Sequence, residues 1–204
     1  MNKRSHGFTL IELLTTLAVV ALLLMVGLPS MNTWLQNQQL RTSAESLQAG
    51  LQFARAEALR RNAPVRFQLV DTLTAACALA DTGTNWIVSL QDPTGLCDVN
   101  PSDTAAPLAI QKRSGAEGTP NAVIAGTNAP ATVNTANTVI FTGLGRVSSA
   151  VAVPLTRINV SNTSGGACQP AGAMRCLRLD ISTAGQVRMC DPAVTDNTDP
   201  RFCN

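Results

Sequence analysis

Histidine and charge are both scarce in this sequence. The only histidine among the 204 residues is His6, and charged residues make up 14% of the chain with a formal net charge of +2. If the chain is cut after Gly7, as argued below, the mature protein has no histidine, which excludes Ser-His-Asp and Cys-His catalysis and His-ligated zinc. No other grouping of base, nucleophile and metal ligands is visible, so we predict no enzyme, no catalytic or metal site and no cofactor. The near-neutral balance is also far from that of a strongly basic nucleic-acid-binding domain.

Cysteine pairs with two intervening residues are absent as well. This excludes a zinc ribbon and a thioredoxin-type motif. The even number of cysteines, all beyond residue 70, predicts disulfides in an oxidising compartment rather than free thiols in the cytosol. The six are Cys77, Cys97, Cys168, Cys176, Cys190 and Cys203. Cys77 and Cys97 flank a predicted strand and would tie its ends together, whereas Cys190 has two candidate partners, Cys176 and Cys203.

The N-terminus carries a short basic segment followed by a long apolar one. Lys3 and Arg4 precede an apolar run from Phe8 to Leu28, which as a helix would span about 31 Å and could cross a bilayer core. Basic flanking residues stay in the cytoplasm, so the rest of the chain would lie outside. A secretory signal has a shorter apolar core with a small-residue cleavage site after it, whereas here the small residue, Gly7, stands before the core. A cut at Gly7 would therefore remove the basic leader and keep the hydrophobic helix.

Glu12 is the one carboxylate inside this apolar run. Burying a carboxylate in a membrane span costs about 2.5–3.5 kcal/mol on insertion scales, and such a residue usually has a function. One interpretation is that Glu12 snorkels or is protonated near the helix end. The other is that it pairs with a positive charge. The candidate partner is the new α-amino group of Phe8 on a neighbouring subunit, since a carboxylate–ammonium pair is stronger in a dry bundle than in water. Such a pair would also set the axial register between subunits.

The segment Gly7-Phe8-Thr9-Leu10-Ile11-Glu12 resembles the class III signal of type IV pilins and type II secretion pseudopilins. The resemblance implies that a prepilin peptidase cleaves after Gly7 and N-methylates Phe8. It also implies that Glu12 pairs with a subunit amine during assembly. Pro29 then matches the proline that softens the helix in this family; the alternative is that Pro29 simply ends a transmembrane helix.

A second helical pattern follows Pro29. Apolar residues recur there at spacings of three and four, which predicts an amphipathic helix with one buried face. That face consists of Leu40, Ala44, Leu47, Leu51, Ala54 and Ala58. It would pack on the sheet of a globular head, or less well form a coiled-coil seam. Basic Arg60 and Arg61 suit the negative end of the helix dipole, and Asn62 and Pro64 end the helix.

The stretch Phe53–Arg66 resembles the corresponding segment of the FimT/FimU and GspH branch of pilin-like proteins. Beyond Pro64 the pattern changes to short extended segments separated by turn residues. We predict strands over 65–70, 85–90, 108–111, 138–141, 156–160, 176–181 and 186–189. Ser182–Gly185 should join the last two as a hairpin, and 91–137 should carry long loops.

These patterns predict an α+β protein of the type IV pilin-like fold, in which a long N-terminal hydrophobic helix packs on an antiparallel β-sheet head. The predicted organisation is a cleaved leader (1–7), a transmembrane and assembly helix (8–29), an amphipathic helix (30–63) and a β-rich head (64–204). The chain would sit in the inner membrane as a single-pass protein with its head in the periplasm. It would then move into a pilus or pseudopilus.

Three functions fit the resemblance. The first is a minor pilin of a type IV pilus that helps to start filament assembly, twitching or DNA uptake. The second is the H-type minor pseudopilin of type II secretion, and the third is a DNA-binding receptor pilin for natural transformation. The implied partners are prepilin peptidase, other minor and major pilins or pseudopilins, the inner-membrane assembly platform, membrane lipid before assembly, and in the third case DNA.

The DNA-binding alternative depends on arginines near the C-terminus. DNA-binding FimT proteins carry a Gly-Arg-x-Arg motif, and the matching stretch here is Gly185-Gln186-Val187-Arg188. Arg188 is retained, but Gln186 replaces the first arginine, which removes one phosphate-pairing cation. Arg146 is a second possible contact. Arg178 should share a face of the hairpin with Arg188, with Arg175 close by. The alternative, which the pattern favours, is that these residues form a solvated strand face.

Overall fold

The computed structural model describes residues 9–115, 117, 119–128 and 135–203, apart from the side chains of 26–30 and 163. The chain divides into two compact units, residues up to 35 and residues 36–204. The elements are α1 (Leu10–Arg61), β1 (Val65–Val70), β2 (Asn85–Ser89), β3 (Ala109–Arg113), β4 (Val123–Thr127), β5 (Thr138–Phe141), β6 (Arg157–Ser161), a 3₁₀ turn (Thr163–Gly165), β7 (Leu177–Ile181) and β8 (Val187–Cys190). Gly7 and Phe8, which carry the predicted processing site, lie outside the described residues.

The first unit consists of the N-terminal part of α1. The backbone N–H of Glu12 donates to Thr9 Oγ1 at 3.3 Å, so Thr9 caps the first turn as its side-chain chemistry favours. The large apolar side chains from Leu10 to Met25 are 52–77% exposed. Among the described residues, no helix combines the length and the apolarity that crossing a membrane would need.

The helix α1 continues through Pro29 and ends at Arg61. The alternative in which Pro29 ends the first helix is therefore wrong. Asn62 adopts a positive φ of 47°, and the N–H of Ala63 donates to the carbonyl of Ala58 at 3.2 Å. This is a Schellman-type ending, which a left-handed asparagine allows. The predicted stop at Asn62 is confirmed.

The buried face of α1 in the second unit is the predicted one. Leu40, Ala44, Leu47, Leu51, Ala54 and Ala58 are all between 0 and 1% exposed. They share one core with both sheets, so the face packs on the head rather than forming a coiled-coil seam. Gly50 lies on this helix where a Cβ would come within 2.9 Å of the Trp86 ring, so the contact between helix and sheet requires glycine. Trp86 also packs against Phe67, with ring centroids 5.5 Å apart.

The strands form two antiparallel sheets of four strands. The first sheet has the order β3-β2-β1-β5 and the second has the order β4-β6-β7-β8. Apolar side chains of both sheets meet the buried face of α1, which gives the predicted α+β architecture. The hairpin of β7 and β8 is present, with Ile181 opposite Val187 and a Ser182–Gly185 turn.

All seven predicted strands appear within a residue or two of their predicted bounds, but β4 was missed. It lies inside the stretch 91–137, which we expected to carry only long loops besides the strand near 108. The local reason is Gly126, which breaks the side-chain alternation of β4. A Cβ at Gly126 would collide with the carbonyl oxygen of Ala136, so the close approach of backbone from the next segment requires glycine.

Three disulfides pair all six cysteines, namely Cys77–Cys97, Cys168–Cys176 and Cys190–Cys203. The first joins the segments on either side of β2, as the spacing suggested. Of the two alternatives for Cys190, the pair with Cys203 forms. The residue opposite Cys190 in the hairpin register is Arg178, which follows Cys176 by two residues, so Cys176 does not face Cys190.

Candidate assembly and binding surfaces

Glu12 lies in the first turn of α1 among exposed apolar side chains. A carboxylate at a helix N-terminus interacts favourably with the helix dipole. The neighbouring hydroxyls are satisfied locally, since Thr15 Oγ1 donates to the carbonyl of Glu12 at 3.0 Å and Thr16 Oγ1 to that of Leu13 at 2.9 Å. Threonine can therefore lie in this apolar segment without an unpaired polar group, and Glu12 is its one charged side chain.

The C-terminal end of α1 holds a compact ion-pair cluster. Glu57 accepts from Arg60 Nη2 at 2.7 Å and from Arg61 Nε at 2.9 Å, and Arg61 also reaches Asp103 at 2.9 Å. Hydrogen bonds from Arg60 and Arg61 lower the pKa of Glu57 from 4.5 to about 2. Both arginines were expected to complement the helix dipole, and Arg61 also ties the helix end to the loop that carries Asp103.

Arg55 joins α1 to two turns of the head. Its Nε donates to the carbonyl of Gly145 at 3.0 Å and its Nη2 to that of Ala184 at 3.5 Å. Gly145 and Gly185 have positive φ values of 71° and 78°, and a Cβ on Gly185 would collide with the carbonyl oxygen of Gly145. We call this arrangement of Arg55, Gly145, Ala184 and Gly185 the Arg55 junction. Sequence reasoning missed it, although the residue lies within the recognised Phe53–Arg66 stretch.

A groove of about 520 Å³ opens between α1 and the start of β8, beside the Arg55 junction. We call it the terminal groove. Its helix wall has side chains at spacings of three, four and seven residues, which is one face of a helix. Its lining residues are Gln52, Arg55, Ala56, Leu59, Gly185, Gln186, Val187 and Arg188. The groove thus includes the whole Gly185-Gln186-Val187-Arg188 stretch identified in the sequence.

The arginines proposed for DNA contact differ in their position in the fold and in their bonding partners. Arg178 and Arg188 share a face of the second sheet, because Arg188 lies opposite Asp180. Arg178 pairs with Asp180 at 3.1 Å, and Arg157, which sequence reasoning missed, pairs with the same carboxylate at 3.1 Å. This face therefore carries three arginines around one aspartate, and Arg157 and Arg178 share its single negative charge.

Arg188 itself is held by the C-terminal loop. Its Nη2 donates to the carbonyls of Pro200 at 2.8 Å and Phe202 at 2.7 Å. Arg146 is exposed on the turn that contains Gly145, and Arg175 is exposed near the start of β7. The backbone N–H of Arg175 donates to Asn37 Oδ1 at 2.7 Å, so Arg175 lies apart from the terminal groove.

One set of metal-type ligand atoms comes together in the described part of the chain. The sulfurs of Cys190 and Cys203 and a carboxylate oxygen of Asp180 lie within 4.8 Å of one another. The two sulfurs are bonded to each other as a disulfide, so neither is a thiolate able to bind a metal.

The chain matches two family models. Residues 43–185 match the model described as type II transport protein GspH, and residues 2–28 match the prokaryotic N-terminal methylation motif. No curated protein matches it.

Among solved structures, two crystal forms of the type IV minor pilin FimU of Pseudomonas aeruginosa are similar to the chain. One is 17% identical and covers 73% of this chain and 90% of that one, with a TM-score of 0.45. The other is 18% identical and covers 74% and 88%, with a TM-score of 0.43. The GspH model alone spans well over half of the sequence. The chain is therefore a pilin-like protein that belongs to the family of the type II transport protein GspH.

Proposed function

We propose that the chain is a minor pilin that assembles into, or initiates, a type IV pilus after prepilin peptidase cleaves at Gly7 and methylates Phe8. The observation that carries the proposal is the N-terminal part of α1, whose apolar side chains are 52–77% exposed around the single carboxylate of Glu12. Such a surface needs lipid or other helices to cover it. The matched methylation motif supports the same sequence of events, in which a membrane-anchored precursor becomes a filament subunit rather than an enzyme.

The disulfides of the head are suited to a compartment outside the cytoplasm. Three disulfides stabilise a head that contains long connections, and each such bond typically adds about 2–4 kcal/mol. Disulfides persist in the periplasm and on cell surfaces. The proposal therefore places the precursor in the inner membrane with its head in the periplasm, where it meets the assembly platform and other pilins.

Filament incorporation tests the proposal directly. Cells that express the chain are sheared, and the filament fraction is probed for it by mass spectrometry of its N-terminal peptide. We expect a peptide that begins at Phe8 and carries one added methyl group. A Gly7→Leu variant should remain an uncleaved precursor in the membrane fraction. Normal processing of Gly7→Leu, or absence of the wild-type chain from every filament fraction, would contradict the proposal.

The alternative is an H-type minor pseudopilin of type II secretion, and the description of the matching family model favours it. The two functions differ in what is lost when the gene is deleted. A pilus subunit is required for surface pili and twitching, whereas a pseudopilus subunit is required for release of folded proteins from the periplasm. Measuring both phenotypes in one deletion strain, with complementation, separates the two.

DNA binding is a further alternative that rests on Arg146, Arg178 and Arg188. The shared sheet face of Arg178 and Arg188 favours it, but Arg178 is paired with Asp180 and Arg188 is engaged by the C-terminal loop. If DNA binds here, Arg188→Gln should weaken binding and lower the slope of log affinity against log salt by about one unit. Arg175→Gln is the matched control outside the groove. An unchanged slope for Arg188→Gln would exclude Arg188 as a phosphate contact.

A further inference from the structure

Two exposed leucines flank the terminal groove. Leu144 is 77% exposed and Leu59 is 50% exposed. Leu144 directly precedes Gly145, whose backbone packs on the groove wall, since a Cβ at Gly145 would lie 3.2 Å from Leu59 Cδ2 and 3.2 Å from Arg55 Nε. Leu59 also lines the groove itself, next to Ala56 and Val187. Large exposed apolar side chains beside a groove are typical of an interaction surface.

The charge around the groove has one sign. Arg55 and Arg188 line it, and none of its lining residues is acidic. Arg146 is exposed next to Gly145, whose carbonyl accepts from Arg55. Arg55 and Arg188 donate to backbone carbonyls, which satisfy hydrogen bonds but carry no net charge to offset the guanidinium groups. Within the part of the chain that the structure describes, no carboxylate forms an ion pair with any of these three arginines. The groove is therefore complementary to an anionic occupant.

The length of the groove limits the size of the segment that can occupy it. Its helix wall runs from Gln52 to Leu59, which corresponds to about 10 Å along the axis. That length accommodates about three residues of extended chain or two turns of a helix. An occupant of this size must combine an apolar side chain for Leu59 and Leu144 with a carboxylate for the arginines.

We propose that the terminal groove and Leu144 dock a short acidic segment, with an apolar side chain, of the neighbouring filament subunit. This inference rests on the proposed assembly into a filament and names the contact that the head makes there. Arginines next to apolar side chains are typical of the centre of protein interfaces. Nucleic acid would be attracted by the same cations but would leave Leu59 and Leu144 in water, so the leucines favour a protein segment.

Site-specific photo-crosslinking of the full-length chain in cells tests the docking. Gln186 lines the groove and is exposed, so it is replaced by a photoreactive benzoylphenylalanine. We expect a crosslink to another subunit with an N-terminal methylation motif, through a peptide that contains aspartate or glutamate. Leu144→Ser should lower the crosslink yield about tenfold without changing any charge, and Arg146→Glu should lower it similarly through repulsion.

Matched variants elsewhere on the head serve as controls. Leu96→Ser removes another exposed leucine and Arg175→Glu reverses another exposed arginine, and both should leave the yield unchanged. A nuclease-sensitive product, a lipid adduct, a crosslinked peptide without carboxylates, or a yield insensitive to Leu144→Ser would overturn the docking. If the chain enters sheared filaments but Gln186 captures no subunit, only the docking fails. If the chain never enters filaments, both the docking and the proposed function fail.

Discussion

The Nε of Arg55 donates a hydrogen bond to the carbonyl oxygen of Gly145 at 3.0 Å, across 90 residues of sequence. The same guanidinium reaches the carbonyl of Ala184, so one helix side chain holds two turns of the head in place. The adjoining glycines allow the turns to meet, because Gly185 has no side chain to collide with the carbonyl of Gly145. The shape of the terminal groove therefore depends on Arg55 as well as on the residues that line it.

We expect Arg55→Ala to lower the free energy of unfolding by about 1.5–3 kcal/mol, since two carbonyls lose a charged donor in a half-buried site. Chemical denaturation of the detergent-solubilised chain measures the change. Arg41→Ala is the matched control, because Arg41 is a 70% exposed helix arginine in an i,i+4 pair with Glu45. That pair should contribute only about 0.3–0.5 kcal/mol. Equal effects of the two substitutions would show that the Arg55 junction adds nothing to stability.

The Arg55 junction also shows where prediction from the sequence stopped. The buried face of α1 was predictable because its period of three and four residues is local, and Leu40 and Ala58 lie on it as expected. The acceptors of Arg55 are backbone carbonyls in distant turns, and every residue has a carbonyl. No residue type in the sequence therefore marks Gly145 and Ala184 as partners of this arginine.

The disulfides and the missed strand have the same explanation. The pairing of Cys190 depended on the register of the β7–β8 hairpin, which the sequence outlined but did not determine to within two residues. The strand β4 was hidden because Gly126 makes room for the carbonyl of Ala136 in the segment that follows β4, and a glycine weakens the strand pattern. Periodic features within one element were predicted correctly, whereas features determined by backbone contacts between elements were not.

The cluster around Glu57 predicts a specific acid sensitivity. The folded chain holds the pKa of Glu57 at about 2 against an ordinary 4.5, because Arg60 and Arg61 donate hydrogen bonds to the carboxylate. A lowered folded-state pKa adds stability above the ordinary pKa, and that stability is lost as the pH falls from about 4.5 towards 2. We expect the loss to be about 1 kcal/mol, since Arg60 is largely exposed and its pair is screened by solvent.

A comparison with Glu57→Gln isolates this contribution. Asp199 has its own pKa lowered to about 2 by hydrogen bonds from Arg201, so the wild-type chain loses stability from more than one group at low pH. The difference in unfolding free energy between wild type and Glu57→Gln should therefore shrink between pH 5 and pH 2. A difference that stays constant over this range would contradict the assigned pKa of Glu57.

The disulfide Cys190–Cys203 should determine the order of the C-terminal loop. Its two cysteines are separated by 13 residues, and a loop of that length is stabilised by about 3 kcal/mol when closed by a disulfide. In the double variant Cys190→Ser, Cys203→Ser we expect faster amide hydrogen exchange in the loop, including the N–H of Asp191, which donates to the carbonyl of Arg201. The matched control, Cys77→Ser with Cys97→Ser, should leave exchange in the loop unchanged. Equal protection of the loop in both variants would show that the hydrogen bonds of Arg188 are sufficient to hold it.

Glu12 should control assembly but not processing. Glu12→Ala and Glu12→Gln should still be inserted and cleaved, since neither substitution touches the processing site at Gly7. Both should reduce incorporation into filaments at least about tenfold, because they remove the carboxylate proposed to pair with the α-amino group of Phe8 on a neighbouring subunit. The measurement is the ratio of mature chain in sheared filaments to mature chain in membranes.

Two further variants determine what the Glu12 result means. Glu45→Ala removes an exposed carboxylate from the part of α1 in the head and should leave the ratio unchanged. Glu12→Asp keeps the charge on a shorter side chain and should recover part of the incorporation that Glu12→Gln loses. If Glu12→Asp is incorporated better than Glu12→Gln, the charge of Glu12 rather than its shape is required for incorporation, because glutamine is closer to glutamate in size. If Glu12→Gln assembles as well as wild type, the carboxylate does not set the register between subunits, and the exposed apolar side chains of α1 alone must align the helices.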